Sequence, residues 1–218
     1  MKKIIFILFL SHCVFYASGQ DKTMSINRNN IVENFRTSEN LKLEFNILNS
    51  KSDILLIARK FNDTLVSIYI RNNKKESLNL ALQDQHVFLI QEAKNQDGEW
   101  QPIEFWGFAW CGNSYNERKL GPGQIIQTKS TLYSGKFKTQ IRFKLLNDDK
   151  EYYSNAVNGS VDLYRFTLPE SIYSNYENLG GKDLAEKIVF LKPEGMKEYS
   201  QKVKNYNIEL ERKRKANK

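Results

Sequence analysis

Apolar and polar residues alternate in several short runs along this chain. The longest run covers residues 136–145, where the apolar positions alternate with lysine, glutamine and arginine. Shorter runs of the same kind cover residues 41–47 and 66–71. A period of two residues places one side of a strand against a core and leaves the other side in solvent. We therefore predict a half-buried strand at each of these three segments.

Further apolar runs add strand candidates at residues 54–61, 87–93 and 125–133. Clusters rich in asparagine, aspartate, glycine and proline lie between the runs and predict turns. These clusters are residues 62–63, 72–75, 121–123, 147–149 and 158–160. No long helical period separates the strand candidates, so a parallel sheet with crossover helices is not expected. The pattern predicts a mainly β fold, an antiparallel immunoglobulin-like β-sandwich over residues 39–168.

The pattern changes after the predicted sandwich. Residues 169–192 include a stretch rich in tyrosine, asparagine and glycine, and they are interpreted as a linker. Apolar residues then recur at intervals of three and four, which predicts a basic amphipathic helix over residues 193–218. Its apolar stripe consists of Met196, Tyr199, Val203, Tyr206 and Leu210. This stripe could dock on the sandwich, bind a protein partner or lie on an anionic membrane surface.

The N-terminus has the pattern of a signal peptide. Lys2 and Lys3 precede a short apolar run, and Ala17 and Gly19 place small residues before a cleavage point. We predict a signal peptide at residues 1–19, cleavage after Gly19, and an N-terminal extension at residues 20–38. The protein is then exported to the periplasm or the extracellular space, with no transmembrane helix in the mature chain. Lipidation at Cys13 is disfavoured because a small residue normally precedes a lipidated cysteine, whereas His12 precedes Cys13.

Charge is distributed unevenly along the chain. The formal net charge is +8, but residues 182–218 alone contain 11 basic and 6 acidic residues. Residues 20–181 contain 20 basic and 19 acidic residues, so the predicted sandwich is almost neutral. This distribution argues against nucleic-acid binding by the whole domain.

The residues needed for common catalytic and metal sites are scarce. After removal of the predicted leader, His86 is the only histidine and Cys111 the only cysteine. One cysteine excludes an internal disulfide, and one residue of each kind falls short of a zinc site. A histidine-based catalytic arrangement would depend entirely on His86. We therefore predict a protein that is not an enzyme and that carries no metal or cofactor.

Two groups of side chains are candidate ligand or partner sites. The first consists of Trp106, Phe108 and Trp110, which would project from one face of a strand. They could form the core of the sandwich, or an exposed ladder on which sugar rings stack. The second is a basic strand face that could bind an acidic partner or an anionic glycan, or could simply be solvated. This basic face consists of Lys136, Lys138, Arg142 and Lys144.

Several short motifs in the second half of the chain carry a resemblance. They are Trp110-Cys111-Gly112-Asn113-Ser114, Leu120-Gly121-Pro122-Gly123-Gln124, Tyr133-Ser134-Gly135-Lys136-Phe137-Lys138-Thr139 and Tyr153-Ser154-Asn155. With these motifs, residues 100–166 resemble uncharacterised secreted bacterial proteins with an immunoglobulin-like sandwich. The Leu-x-Pro-Gly turn and the following Gly-x-Phe-x-Thr strand also resemble the later strands of the BsuPI-type proteinase inhibitor domain. The resemblance implies the fold and transfers no functional residues.

Together these observations predict a non-catalytic secreted or periplasmic module of the bacterial cell envelope that binds a protein partner. Its binding residues would be the basic face and the apolar stripe. The alternative is a carbohydrate-binding module that uses the aromatic strand face. A proteinase inhibitor and an envelope enzyme are less favoured functions.

Overall fold

The structure is a computed structural model that describes residues 23–27, 29–48, 50–109, 112–177 and 180–216. It describes the backbone alone at residues 112, 203, 206, 207, 209–211, 213, 215 and 216. The predicted signal peptide therefore lies outside the described residues, as do Trp110 and Cys111.

Strands account for more of the described residues than helices do, and all of the strands lie before residue 169, in the part of the chain called the body below. The described residues form strands β1 (Ser25–Ile26), β2 (Asn30–Ile31), β3 (Ile54–Lys60), β4 (Leu65–Asn72), β5 (Leu78–Gln83), β6 (His86–Val87), β7 (Leu89–Lys94), β8 (Trp100–Pro102), β9 (Glu104–Phe105), β10 (Tyr115–Leu120), β11 (Ile125–Thr131), β12 (Phe137–Asn147), β13 (Lys150–Tyr153) and β14 (Val157–Val161). They also form helices α1 (Glu39–Ile47), α2 (Glu170–Ser174), α3 (Gly181–Val189) and α4 (Pro193–Ala216).

The strands form four sheets. A four-stranded sheet has the order β2-β11-β4-β3, and a larger sheet has the order β13-β12-β7-β8, with β14 also paired to β12. A third sheet has the order β10-β5-β6. The pairs within these three sheets are antiparallel, whereas β1 pairs with β9 in parallel. The predicted mainly β, antiparallel architecture is confirmed.

The main core lies among these sheets. It includes apolar side chains from the four-stranded sheet, such as Ile68 and Ile70, and from β12, such as Phe143 and Leu145. Leu80 from β5 packs into the same cluster. The predicted strands at residues 54–61, 66–71, 125–133 and 136–145 are confirmed with small shifts at their ends.

The strand predicted at residues 41–47 is wrong, because these residues form α1. The Ser38 hydroxyl accepts a hydrogen bond from the Leu41 N–H (3.3 Å) and caps the helix. Leu41 and Phe45 are one helical turn apart and are buried, whereas Leu43 and Ile47 are 58% and 80% exposed. Alternation at four positions therefore coincides with a helix that buries every second apolar residue.

Two other local predictions are corrected. Residues 158–160, predicted as a turn, lie inside β14, where Gly159 is the partner of Thr139. An added Cβ at Gly159 would collide with the Ile141 side chain, so the glycine permits a close approach between β14 and β12. The strand predicted at residues 87–93 is divided at Phe88 into β6 and β7.

The segment predicted as a linker, residues 169–192, contains helices α2 and α3. Four residues of α3 are buried, and they pack against Met24, Phe105 and Leu168 of the body. These four residues are Leu184, Ala185, Ile188 and Val189. Tyrosine, asparagine and glycine suggested a linker, but the apolar residues of α3 recur at helical spacing and form a second core. The helix predicted at residues 193–218 is confirmed over residues 193–216 as α4, and residues 217–218 lie outside the described part of the chain.

Candidate functional site

An open groove of about 880 Å³ lies where the ends of the two larger sheets meet. Its lining comes from the end of β3, the β7–β8 hairpin, the segment before β12, and the paired strands β12 and β14. Gly135 lies in this lining, and a Cβ there would collide with the backbone of Val161 and Asp162. The close approach at Gly135 brings the start of β12 against the end of β14 and shapes this end of the groove.

The groove is positively charged. Its ionisable lining residues, apart from Tyr133, are Lys60, Lys94, Lys136, Lys138 and Asp63. Lys60, Lys136 and Lys138 are exposed, and no acidic side chain in the described part of the chain forms an ion pair with them. Four cations against one carboxylate create a positive potential in a concave surface, which attracts anionic groups. Amide side chains, among them Asn95, Gln140 and Asn158, supply neutral hydrogen-bonding groups beside them.

The structure divides the predicted basic face into two parts. Lys136 and Lys138 lie in solvent at the groove, as expected. Lys144 is 0% exposed, and its ammonium lies 3.4 Å from carboxylate oxygens of both Glu92 and Glu151. Burial lowers the pKa of Lys144, and these two carboxylates oppose that effect. The prediction that Lys144 lies on a solvent face is therefore wrong.

Arg142 is also engaged within the protein. Its guanidinium donates to the Glu92 carboxylate (Nε to Oε2, 2.8 Å) and lies over the rings of Trp100 and Tyr153, at 4.5 Å and 4.1 Å from their centroids. Lys144 lies further along the same face of β12. The corner between α3 and α4 covers this part of the face, because Leu191 at the corner packs with Ile90 and Leu146. Strand alternation cannot show that a later segment covers half of a strand face.

The aromatic segment does not form an exposed ladder. Residues 106–109 follow β9 without forming a strand, and Trp106 is only 3% exposed. The Trp106 ring packs against Phe88 (centroids 4.9 Å apart), and its Nε1 donates to Gln83 Oε1 (3.1 Å). Phe108 is half-buried against the same Phe88 ring. The sequence left two interpretations open, a core and an exposed ladder, and the burial of Trp106 fits the core. Trp110 lies outside the described residues.

Helix α4 docks through its first turns. Met196 and Tyr199 are half-buried and pack against the second core, and the Tyr199 ring meets the Tyr176 ring edge-on. The side chains of the other three predicted stripe residues, Val203, Tyr206 and Leu210, lie outside the description. Arg212 and Arg214, near the end of α4, are exposed. Docking on the body is thus observed for the first part of the stripe.

A buried polar network surrounds Glu104, which no sequence pattern indicated. The Glu104 carboxylate accepts hydrogen bonds from the Gln91 backbone N–H (2.9 Å), the Gln91 side-chain amide (2.7 Å), the Tyr133 hydroxyl (2.6 Å) and the Asn27 side-chain amide. Burial raises the pKa of Glu104, while these donors oppose the effect by stabilising the charged form. The four donors come from three separate chain segments, so no local motif reveals the network.

The same network fixes the N-terminal segment and His86. Asn29 donates to Asn27 Oδ1 (2.9 Å) and to the Val87 carbonyl (2.8 Å), and the Val87 N–H donates back to Asn29 Oδ1 (3.1 Å). The His86 ring hydrogen-bonds the Asn29 carbonyl through Nδ1. His86 therefore lies at a strand junction held by backbone contacts. Asn27 and Asn29, together with Glu104, tie residues 23–27 and 29–31 to the rest of the body.

The described residues contain no group of three or more histidine, cysteine, aspartate or glutamate side chains placed to hold a metal ion. Within the same part of the chain, no helix has both the length and the apolar character needed to cross a membrane. Comparisons with protein-family models, with curated proteins and with solved structures gave no match to this chain.

Tyr176, which lies against α4, leads to a prediction about alkaline stability. Burial, followed by the proximity of Tyr199 and Tyr115, raises the pKa of Tyr176 to about 12 from an ordinary value of 10.0. Between these pH values the folded state retains a proton that the unfolded state releases. The contribution of Tyr176 to the free energy of unfolding is therefore complete below pH 10 and is lost as the pH rises to 12. We expect the Tyr176→Phe variant to lose less free energy of unfolding than the parent over this pH range, by an amount on the order of 1 kcal/mol. Urea unfolding of both proteins at several pH values tests this; parallel stability curves from pH 9 to pH 12 would contradict it.

Proposed function

We propose that this protein is a non-catalytic, exported binding module of the cell envelope whose basic groove holds an acidic segment of a partner protein. The observation that carries the proposal is the groove itself, where four lysines and one aspartate line an open concave surface. Lysines whose charge is not neutralised by neighbouring carboxylates remain available to an external anion.

The rest of the molecule is consistent with a binding role. Arg142 and Lys144 are neutralised internally, so the exposed positive charge of the predicted basic face is concentrated at Lys136 and Lys138. The neutral amides of the groove can hydrogen-bond a peptide backbone beside the charged contacts. We further propose that the facing sheets form an immunoglobulin-like sandwich, supported by the core that residues of β4 and β12 share.

A charge-reversal experiment tests this function. The probe is a fluorescein-labelled decaglutamate peptide, and its binding is followed by fluorescence anisotropy at several salt concentrations. We expect saturable binding that weakens with salt, and a loss of affinity of about tenfold or more in Lys136→Glu/Lys138→Glu. Both lysines are exposed, so the double variant should unfold at nearly the temperature of the parent.

The matched control is Lys51→Glu/Lys119→Glu, which changes the net charge equally at exposed lysines that do not line the groove. An equal loss of affinity in this control would mean that the peptide responds to overall charge, and the groove assignment would be abandoned. Failure of the parent protein to bind the peptide, together with saturable binding of an anionic polysaccharide such as polyglucuronate, would replace the protein partner with a glycan.

A further inference from the structure

A second concave site lies between the body and the C-terminal helices, away from the basic groove. It is a cavity of about 130 Å³, and its walls are mostly aromatic. Six of its lining residues are aromatic: Phe105, Trp106, Phe108, Tyr115, Tyr176 and Tyr199. No side chain in the described lining carries a formal charge at neutral pH.

The wall on the body side is held rigidly. The Gln83 side chain accepts from Trp106 Nε1 (3.1 Å) and from the Ala109 N–H (3.2 Å), and it donates to the Gly107 carbonyl (2.8 Å). The Tyr115 hydroxyl donates to the Ala109 carbonyl (2.7 Å). One buried amide and one tyrosine therefore fix the non-regular segment 106–109, and this wall is formed before any ligand arrives.

The opposite wall is formed by residues of α2, α3 and α4 and by the segment after α2 that contains Tyr176. Tyr176 and Tyr199 meet with centroids 6.5 Å apart in an edge-to-face arrangement. The Trp106 N–H donates to the Val189 carbonyl (2.8 Å), which joins the two walls by a backbone hydrogen bond. Tyr115 is 41% exposed and Tyr199 is half-buried, so the cavity borders solvent at these two residues.

Three tyrosines line this cavity: Tyr115, Tyr176 and Tyr199. The rings of Tyr176 and Tyr199 are in contact, so at least two of the phenol groups lie side by side in its wall. A tyrosine hydroxyl both donates and accepts a hydrogen bond. Aromatic rings around a small space, with a few neutral polar groups directed to one side, are the usual composition of a small-ligand site.

We propose that this cavity binds a small neutral aromatic ligand: a single six-membered ring with one hydroxyl group. The cavity is close in size to an engineered apolar cavity of about 150 Å³ in another protein, which binds benzene. The ring would stack among Trp106, Phe108 and Tyr176, and its hydroxyl would bond to the tyrosine hydroxyls. A charged ligand is disfavoured because the described lining residues offer it no counter-charge.

The probes are phenol, toluene and cyclohexanol, and binding is measured by NMR titration and tryptophan fluorescence. We expect saturable phenol binding with a dissociation constant on the order of 1 mM or tighter, as befits seven non-hydrogen atoms. Cyclohexanol has the same hydroxyl on a puckered ring and should bind at least fivefold more weakly. Tyr176→Phe should weaken the binding of phenol about two- to tenfold and leave the affinity for toluene unchanged.

A cavity-filling variant locates the site. Ala109→Leu places a larger side chain in the lining and should abolish phenol binding. The matched control Ala156→Leu lies at an exposed position outside the lining and should bind phenol like the parent. If Ala109→Leu fails to fold, Ile172→Phe fills the same space from the helix side. Undiminished phenol binding in the folded cavity-filling variant, or no saturable binding in the parent, would overturn the proposal.

Discussion

Removal of residues 181–218 is expected to abolish cooperative folding of the whole protein. This deletion takes away α3, whose buried side chains pack against Met24, Phe105 and Leu168. It also uncovers Trp106, whose backbone N–H is bonded to Val189. Burial of a large aliphatic side chain contributes roughly 1.5–3 kcal/mol, so loss of Leu184, Ile188 and Val189 alone removes about 5 kcal/mol or more. The free energy of unfolding of a typical domain is only about 5–15 kcal/mol in total.

Urea unfolding followed by circular dichroism and tryptophan fluorescence measures this effect. The matched control removes residues 212–218 only, where Arg212 and Arg214 are exposed, and should change the unfolding free energy by less than about 0.5 kcal/mol. Suppose that the variant lacking residues 181–218 still unfolds cooperatively, with a free energy of unfolding within about 1 kcal/mol of the parent's. Residues 169–192 would then act as the linker that the sequence suggested.

Glu104→Ala is expected to lower the unfolding free energy by about 3–5 kcal/mol. The substitution removes the acceptor of four hydrogen bonds and leaves donors from Asn27, Gln91 and Tyr133 unpaired in the interior. A buried donor without a partner costs about 1–3 kcal/mol, and local relaxation recovers part of the sum. Chemical denaturation at pH 7 gives the free energy directly.

Two variants serve as controls for Glu104→Ala. Glu104→Gln keeps the size of the side chain and one acceptor oxygen, but it places an amide N–H₂ against the surrounding donors. Its free energy of unfolding should therefore fall by less than that of Glu104→Ala, by about 1–3 kcal/mol. Glu99→Ala changes an exposed carboxylate in the neighbouring hairpin and should be nearly neutral. A loss below about 1 kcal/mol for Glu104→Ala would mean that water enters and satisfies the donors.

Much of the β-sheet could be predicted because its signal is local. Strand β12 alternates in sequence from its start to Leu145, and the turns before β4, after β10 and after β12 contain the residues that tight turns require. Helix α4 was found from spacings of three and four. Helix α1 was missed because four alternating apolar positions fit a short strand as well as two helical turns. Ser38 at the capping position was the available signal for the helix.

The sequence by itself determined the four long strands β3, β4, β11 and β12, most of the turns and the terminal helix, because their periodicity and turn chemistry act between near neighbours. Only the tertiary structure decided which faces are buried and which residues meet. Lys138 and Lys144 occupy equivalent positions in one alternating run, yet the α3–α4 corner covers only the second. The basic groove, the Glu104 network and the aromatic cavity each join segments that are far apart in the chain. Such contacts depend on how whole elements pack, and no local period encodes them.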